Sequence, residues 1–173
     1  MQFPNSFIHI YDDGFTASLA QRFQRQVEPH GRSAATDLKC QARKDAIMIF
    51  PDGLPKNCPL PNAVSCSGTI YMISPNYPVD QQDCLSQAER GRAVDATGDL
   101  ACTRHGLSVF PDFASCSHQQ SLFPGLGEHI VAAQLDPSHG KTMETPTKRN
   151  PRHMTWWPRK DLERSVLFKL VEA

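Results

Sequence analysis

The amino-acid sequence predicts an α+β fold built on a mostly antiparallel sheet, and three observations carry that expectation. Phe15, Leu19, Phe23 and Val27 recur at helical spacing, which keeps one side of a helix against a core. About six short runs further on have the alternating or uniformly apolar character of strands. No regular strand–helix–strand alternation joins them, as a parallel sheet would need. The 173 residues suit one domain. A mean hydropathy of -0.44 and 14 prolines against 10 glycines make it loop-rich.

Taken in order, "DDGFTASLAQRFQRQVEPHG" is a turn and then the longer helix, stopped by Pro29 and Gly31. "AIMIF" reads as a buried strand ended by the turn chemistry of "PDGLP". The proline-rich "LPKNCPLPNAVSCSG" is an extended connection. Residues 1–67 therefore form an N-terminal helix-plus-strand segment, appended to or wrapped around a core at 68–173, in one compact domain overall. "GTIYMISPN" is a strand with Ile70 and Met72 on one side and Tyr71 and Ile73 on the other. "DCLSQAERGRAV" reads as a short helix, "GLSVFPD" as a short strand, "FPGLGEH" as a hairpin or loop, and "EHIVAAQLDP" as a longer strand. "SHGKTMETPTKRNP" is a long polar loop leading into "RHMTWWP", and "SVLFKLVEA" is a terminal strand.

Eighteen basic residues balance eighteen acidic ones, so no global field gathers the chain on nucleic acid or an anionic membrane. Lys148, Arg149, Arg152, Arg159 and Lys160 make the segment around "RHMTWWP" locally basic; they could hold an anion, although such runs are more commonly solvated surface. No stretch reaches the ~18 to 20 apolar residues that cross a bilayer. "MQFPNSFIHIYDDG" lacks the basic start and apolar core of a secretory signal. The expected location is cytoplasmic, or a target cell reached without a signal peptide. The six cysteines show neither C-x-x-C nor a Cys/His ladder. Buried thiols are the ordinary expectation, with disulfides second. Cys116-Ser117-His118, on a probable loop, offers two possible ligands, and no metal site is expected.

The densest chemistry lies in "HMTWW". As a strand, it places His153, Thr155 and Trp157 on one face and Met154 and Trp156 on the other. An imidazole and a hydroxyl about 7 Å apart beside an indole could hold a planar polar ligand. The plainer reading is a half-buried strand with Met154 and Trp156 inward and His153 and Thr155 in water. In "GLSVFPD", Ser108 and Phe110 share a face, with His105 and Asp112 close in sequence. A Ser/His/Asp triad is not expected from those residues: there is no G-x-S-x-G elbow, and sequence neighbours on a strand need not converge. "HMT" occurs once, whereas a two-histidine phosphodiesterase needs two such strands, and no phosphate-cradling glycine loop is present.

"TIYMIS", "GLSVFPD" and "RHMTWWP", in that order and rough spacing, resemble the ADP-ribosyltransferase-like toxins, notably the compact ones delivered by type VI secretion. The resemblance covers residues 68–173. It implies a split, mostly antiparallel sheet with a cleft for NAD, which agrees with the longer and the short helix and the strands read above, and a toxin or effector that acts on an intracellular protein target and is held by an immunity-type inhibitor. It implies Tyr71, Ser108 and His153 as catalytic residues, with Thr155, Arg152, Arg104 and Trp157 on the cofactor side. Met72 stands where the family pattern has arginine, and Arg104 or Arg152 is expected to replace that charge from a loop. Glu128 and Glu144 are the carboxylate candidates by location. The alternative is a non-enzymatic interaction protein that presents the Trp pair and a basic rim to a partner.

Overall fold

The computed structural model describes residues 48–171. The helix expected over 15–27 and the first part of "AIMIF" lie outside the described residues, and 48–50 is irregular rather than strand. Two antiparallel sheets and two α-helices follow. One sheet has the order β1 (Val64–Ser65), β5 (Gly140–Glu144), β6 (Met154–Pro158), β3 (Leu107–Val109). The other has β2 (Gly68–Ser74), β4 (His129–Leu135), β7 (Lys169–Leu170). The helices are α1 (Gly98–Arg104) and α2 (Phe113–Leu122). This is an α+β fold with split sheets, as expected.

The pairing of β2 with β4 runs over their full length, from Gly68 opposite Leu135 to Ser74 opposite His129. It puts Ile70 and Met72 on the same buried face as Ala133 and Val131. β6 is central in its sheet, paired with β5 on one side and β3 on the other. Leu107, Val109 and Trp156 join Ile70, Met72 and Val131 in the main core. Trp157, on the opposite face of β6, packs in a smaller cluster with Ala63 and Cys102. Both faces of β6 are thus covered, and Thr155, Trp156 and Trp157 are all buried. The half-buried reading of this strand fails because the connection 51–63 and α1 close over the face it would have left in water.

The sheets are joined where β3 ends. Phe110 leaves β6 and bonds instead to β2: Tyr71 N–H donates to the Phe110 carbonyl at 2.8 Å, and Phe110 N–H to the Tyr71 carbonyl at 2.9 Å. One short segment therefore serves both sheets, with Ser108 just before the crossover.

Four local expectations are corrected. Residues 83–94 form turns, not a helix; a side chain there takes carbonyls that a helix would pair with its own N–H groups. Ser86 N–H donates to Glu89 Oε2 and Glu89 N–H to Ser86 Oγ, while the Arg90 guanidinium takes the carbonyls of Gln82, Asp83 and Leu85. Arg164 grips Glu89 through both carboxylate oxygens, at 2.8 and 2.9 Å. Burial alone would raise the Glu89 carboxyl; the Arg164 fork and the Ser86 donors outweigh it and bring it to about 2. The stretch 113–122, which contains Cys116 and His118, is a helix rather than a loop; Asp112 caps it by accepting from Ser115 N–H at 2.7 Å. The polar "GKTME" is strand β5. The terminal strand shrinks to a 3-10 turn at Ser165–Leu167 and the two residues of β7.

The thiol expectation is corrected for one pair: Cys58 and Cys102 form a disulfide that ties the connection 51–63 to α1. The two sit 44 residues apart, and closing a loop of that length removes on the order of 4 kcal/mol of unfolded-chain entropy. Cys66, Cys84 and Cys116 are buried thiols, and burial pushes each up to about 12.

Candidate functional site

The site grows from strand register. Ser108 lies opposite Thr155, and Thr155 lies opposite Met143. Residues opposite each other in an antiparallel pair, and those two along, share a face. Ser108, Phe110, His153, Thr155 and Thr145 therefore project from one side of the sheet; the alternation of "LSVF" and "HMT" pairs Ser108 with Phe110 and His153 with Thr155, and the register brings the two pairs together. Ser108 Oγ reaches diagonally to His153 Nε2 at 2.6 Å. On the far side of the imidazole, Nδ1 meets the Thr145 carbonyl at 3.0 Å and the Thr145 hydroxyl at 2.9 Å. That hydroxyl also bonds Thr155 Oγ1 at 2.8 Å. The Phe110 ring stands edge-on to the imidazole, 5.7 Å between centroids.

These contacts fix the chemistry of His153. A carbonyl only accepts, so Nδ1 carries the proton and Nε2 presents its lone pair to the Ser108 hydroxyl, which donates. Burial lowers the His153 pKa from its ordinary value, and the bond to the Thr145 carbonyl only partly opposes this. At neutral pH the imidazole is a neutral base with an anchored tautomer. Nucleophile or donor, base and orienter are thus aligned in one chain, the arrangement that activates a hydroxyl. Any activity that uses this base is expected to hold constant from pH 8 to pH 6.5 and to fall only below the ordinary histidine value of about 6.5. A pH profile of the wild-type rate checks this; an acid limb centred above 6.5 contradicts it. Stability follows the same sign. The folded state resists protonation, so stability is present above about 6.5 and declines as pH falls from there towards the lower folded pKa.

Ser108 opens onto a cavity of about 700 Å³, whose lining includes Met72, Asp83, Arg92, Arg104, Phe110 and Phe123. That volume lies within the range of small-molecule sites. Gly106, also in the wall, approaches the sheet so closely that a Cβ there would collide with the Thr155 methyl group. Asp83 is the one carboxylate in the lining; its oxygens accept from Asn76 Nδ2 and from Asp80 N–H.

Of the residues singled out in the sequence, Ser108 and Arg104 line the cavity, and His153 stands behind Ser108. Thr155 is buried and acts through Thr145 rather than on a ligand. Tyr71 sits at the sheet junction, edge-on to Phe113, not in the cavity lining. Arg152 pairs with Asp112 at 3.2 Å, outside the lining. Trp157 is 1% exposed and its indole N–H donates to the Cys102 carbonyl at 2.9 Å, so it cannot stack on a ligand. The same burial removes the Trp pair as a partner surface. The basic rim does not converge either: Lys160 pairs with Asp52, and Arg149 lies over the Phe123 ring. Glu128 and Glu144 are exposed and outside the lining. Sequence reasoning missed Thr145, Arg92 and Asp83. Thr145 lies in the supposed loop, and Arg92 and Asp83 lie in the supposed helix.

Among the described residues no group of three or more His, Cys, Asp or Glu side chains is placed to hold a metal ion, and no helix is long and apolar enough to cross a membrane. No family model, curated protein or solved structure matches the chain.

Proposed function

We propose that the chain is an NAD-directed ADP-ribosyltransferase-like toxin or effector that modifies an intracellular protein target and is restrained by an immunity-type inhibitor protein. The observation that carries this reading is the Ser108–His153–Thr145 relay opening onto the cavity beside the junction of two split sheets. Groups that suit a nicotinamide dinucleotide line the cavity: an aromatic ring at Phe123, a hydroxyl at Ser108, and the side chains of Arg92 and Arg104, and this supports the reading. Arg104 supplies a positive charge in place of the arginine that Met72 displaces, and the buried Met72 contributes apolar wall.

When bound, NAD supplies the ADP-ribosyl group, its ribose carbon exchanging the bond to nicotinamide for one to an acceptor atom. Ser108 holds a ribose hydroxyl or the acceptor. His153 Nε2 takes the proton the acceptor releases, directly or through Ser108. Thr145 keeps the imidazole oriented as the proton arrives. Asp83 is the carboxylate available to steady positive charge in the cavity.

The test is nicotinamide release from NAD by the purified full chain with a cell lysate as acceptor source, together with growth arrest on expression in a sensitive cell. Wild type is expected to do both and the Ser108→Ala/His153→Ala chain neither. Equal toxicity of a folded double variant sinks the reading. Labelling of Ser108 by an acylating ester without NAD consumption would replace it with acyl transfer, for which the same relay is suited.

A further inference from the structure

A second hollow of about 390 Å³ adjoins the first, lined by Val94, Asp95, Ala96 and Leu100 among others, and Arg92 and Arg104 line both, so two arginines face one carboxylate there. Arg92 and Arg104, common to both linings, make the partition between the hollows. Unlike the neighbouring Arg90, both lie on the cavity wall without a protein partner among the described residues. Arg90 is spent on three backbone carbonyls, Arg152 on Asp112 and Arg164 on Glu89. Among the described residues, neither Arg92 nor Arg104 has a hydrogen-bond or ion-pair partner for its side chain. Beyond the partition, Val94 is 87% exposed and Leu100 is 55% exposed. Large apolar side chains flanked by unpaired arginines are the composition of a site for an aromatic group that carries an anion.

We infer that the two hollows bind one bipartite ligand: its pyrophosphate lies on Arg92 and Arg104, one half enters the cavity at Ser108, and its nucleoside base covers Val94 and Leu100. The inference rests on the NAD reading above and deepens it, since it assigns the adenosine half of the dinucleotide to the smaller hollow. Each part has its own physical reason. Arginine forks match phosphate oxygens two at a time. The partition position lets one pyrophosphate meet both guanidinium groups. A purine base removes the exposed Val94 and Leu100 surface from water and stacks near the arginine planes. The segment 91–96 that carries this wall follows directly on the Ser86–Glu89–Arg164 clamp, which anchors it to the far end of the chain.

The experiment is calorimetric titration of the full chain with NAD, ADP-ribose and nicotinamide mononucleotide. Wild type is compared with Leu100→Asp and with the Arg92→Gln/Arg104→Gln double variant. Leu100 is half-exposed, so the aspartate is compatible with folding, which thermal unfolding verifies. Leu100→Asp is expected to weaken NAD and ADP-ribose about tenfold or more, the scale of one lost base-stacking contact, and to leave the mononucleotide unchanged. The arginine double variant is expected to weaken all three ligands, because all carry phosphate. NAD binding that is lost in Ser108→Ala but unchanged in both of these variants overturns the inference and leaves the functional reading standing. No binding of any of the three to folded wild type overturns both.

Discussion

Replacing His153 with alanine is expected to slow nicotinamide release about 10²- to 10⁴-fold, the usual contribution of a positioned acid or base. Ser108→Ala is expected to match it within about tenfold, because the two act as one relay and their losses do not add. The double variant is then barely slower than either single one. The structural risk is small at Ser108, which is exposed, and larger at His153, whose loss leaves the Thr145 carbonyl without its donor and Phe110 without its edge contact. His153→Gln is the companion variant. A glutamine amide can still donate to Thr145, yet it supplies no titratable base, so the rate stays low while the fold is kept. Recovery of the wild-type rate in His153→Gln would reduce the imidazole to a spacer.

Trp156→Ala is expected to destabilise the fold by about 3–5 kcal/mol, the cost of removing a fully buried tryptophan. For a chain of this size that lowers the unfolding midpoint by roughly 10 °C. Trp156 is 0% exposed, sits in the main core with Val109 and Val131, meets the Phe168 ring edge-on at 6.2 Å and donates to the His139 carbonyl at 3.2 Å. Trp156→Phe keeps most of the apolar volume and gives up the hydrogen bond, so it should lose well under half as much. Calorimetric unfolding of the two variants checks the order. A Trp156→Ala midpoint within about 2 °C of wild type would mean that the indole is not the core residue described here, and would return the Trp pair to the surface.

The strand alternation is legible in the sequence. The period of two in "HMTWW" and "LSVF" put His153 with Thr155 and Ser108 with Phe110, and the register places all four on one face. What alternation cannot report is how many layers cover a strand. Alternation alone puts Trp157 on the ligand side with His153 and Thr155; the face is closed over it by α1 and the 51–63 connection, which the Cys58–Cys102 bridge holds down. The third partner of the relay was invisible for a different reason. "GKTMET" has no apolar run, and its strand forms because Gly140, Lys141 and Thr142 find register against Pro158, Trp157 and Trp156. Tertiary pairing decides such a strand, so Thr145 read as loop. Residues 83–94 read as a short helix, but the Arg90 guanidinium takes three of the carbonyls that such a helix would pair with its own N–H groups. The result is a turn-rich wall that carries Asp83 and Arg92 to the cavity. Helix α2 was missed because its only fully buried residue is Cys116, so no apolar stripe announces it; the Asp112 cap was the available signal.

The proposal at stake is that the Ser108–His153 relay serves NAD in the adjoining cavity. Calorimetric titration of NAD into the purified full chain, beside His153→Gln and Ser108→Ala, tests it most directly. The account predicts saturable binding to one site in wild type, weakened in Ser108→Ala, which removes the hydroxyl at the cavity wall, and kept in His153→Gln, which loses turnover. A folded wild-type chain that shows no heat of binding with millimolar NAD, or binding indifferent to Ser108, would contradict it.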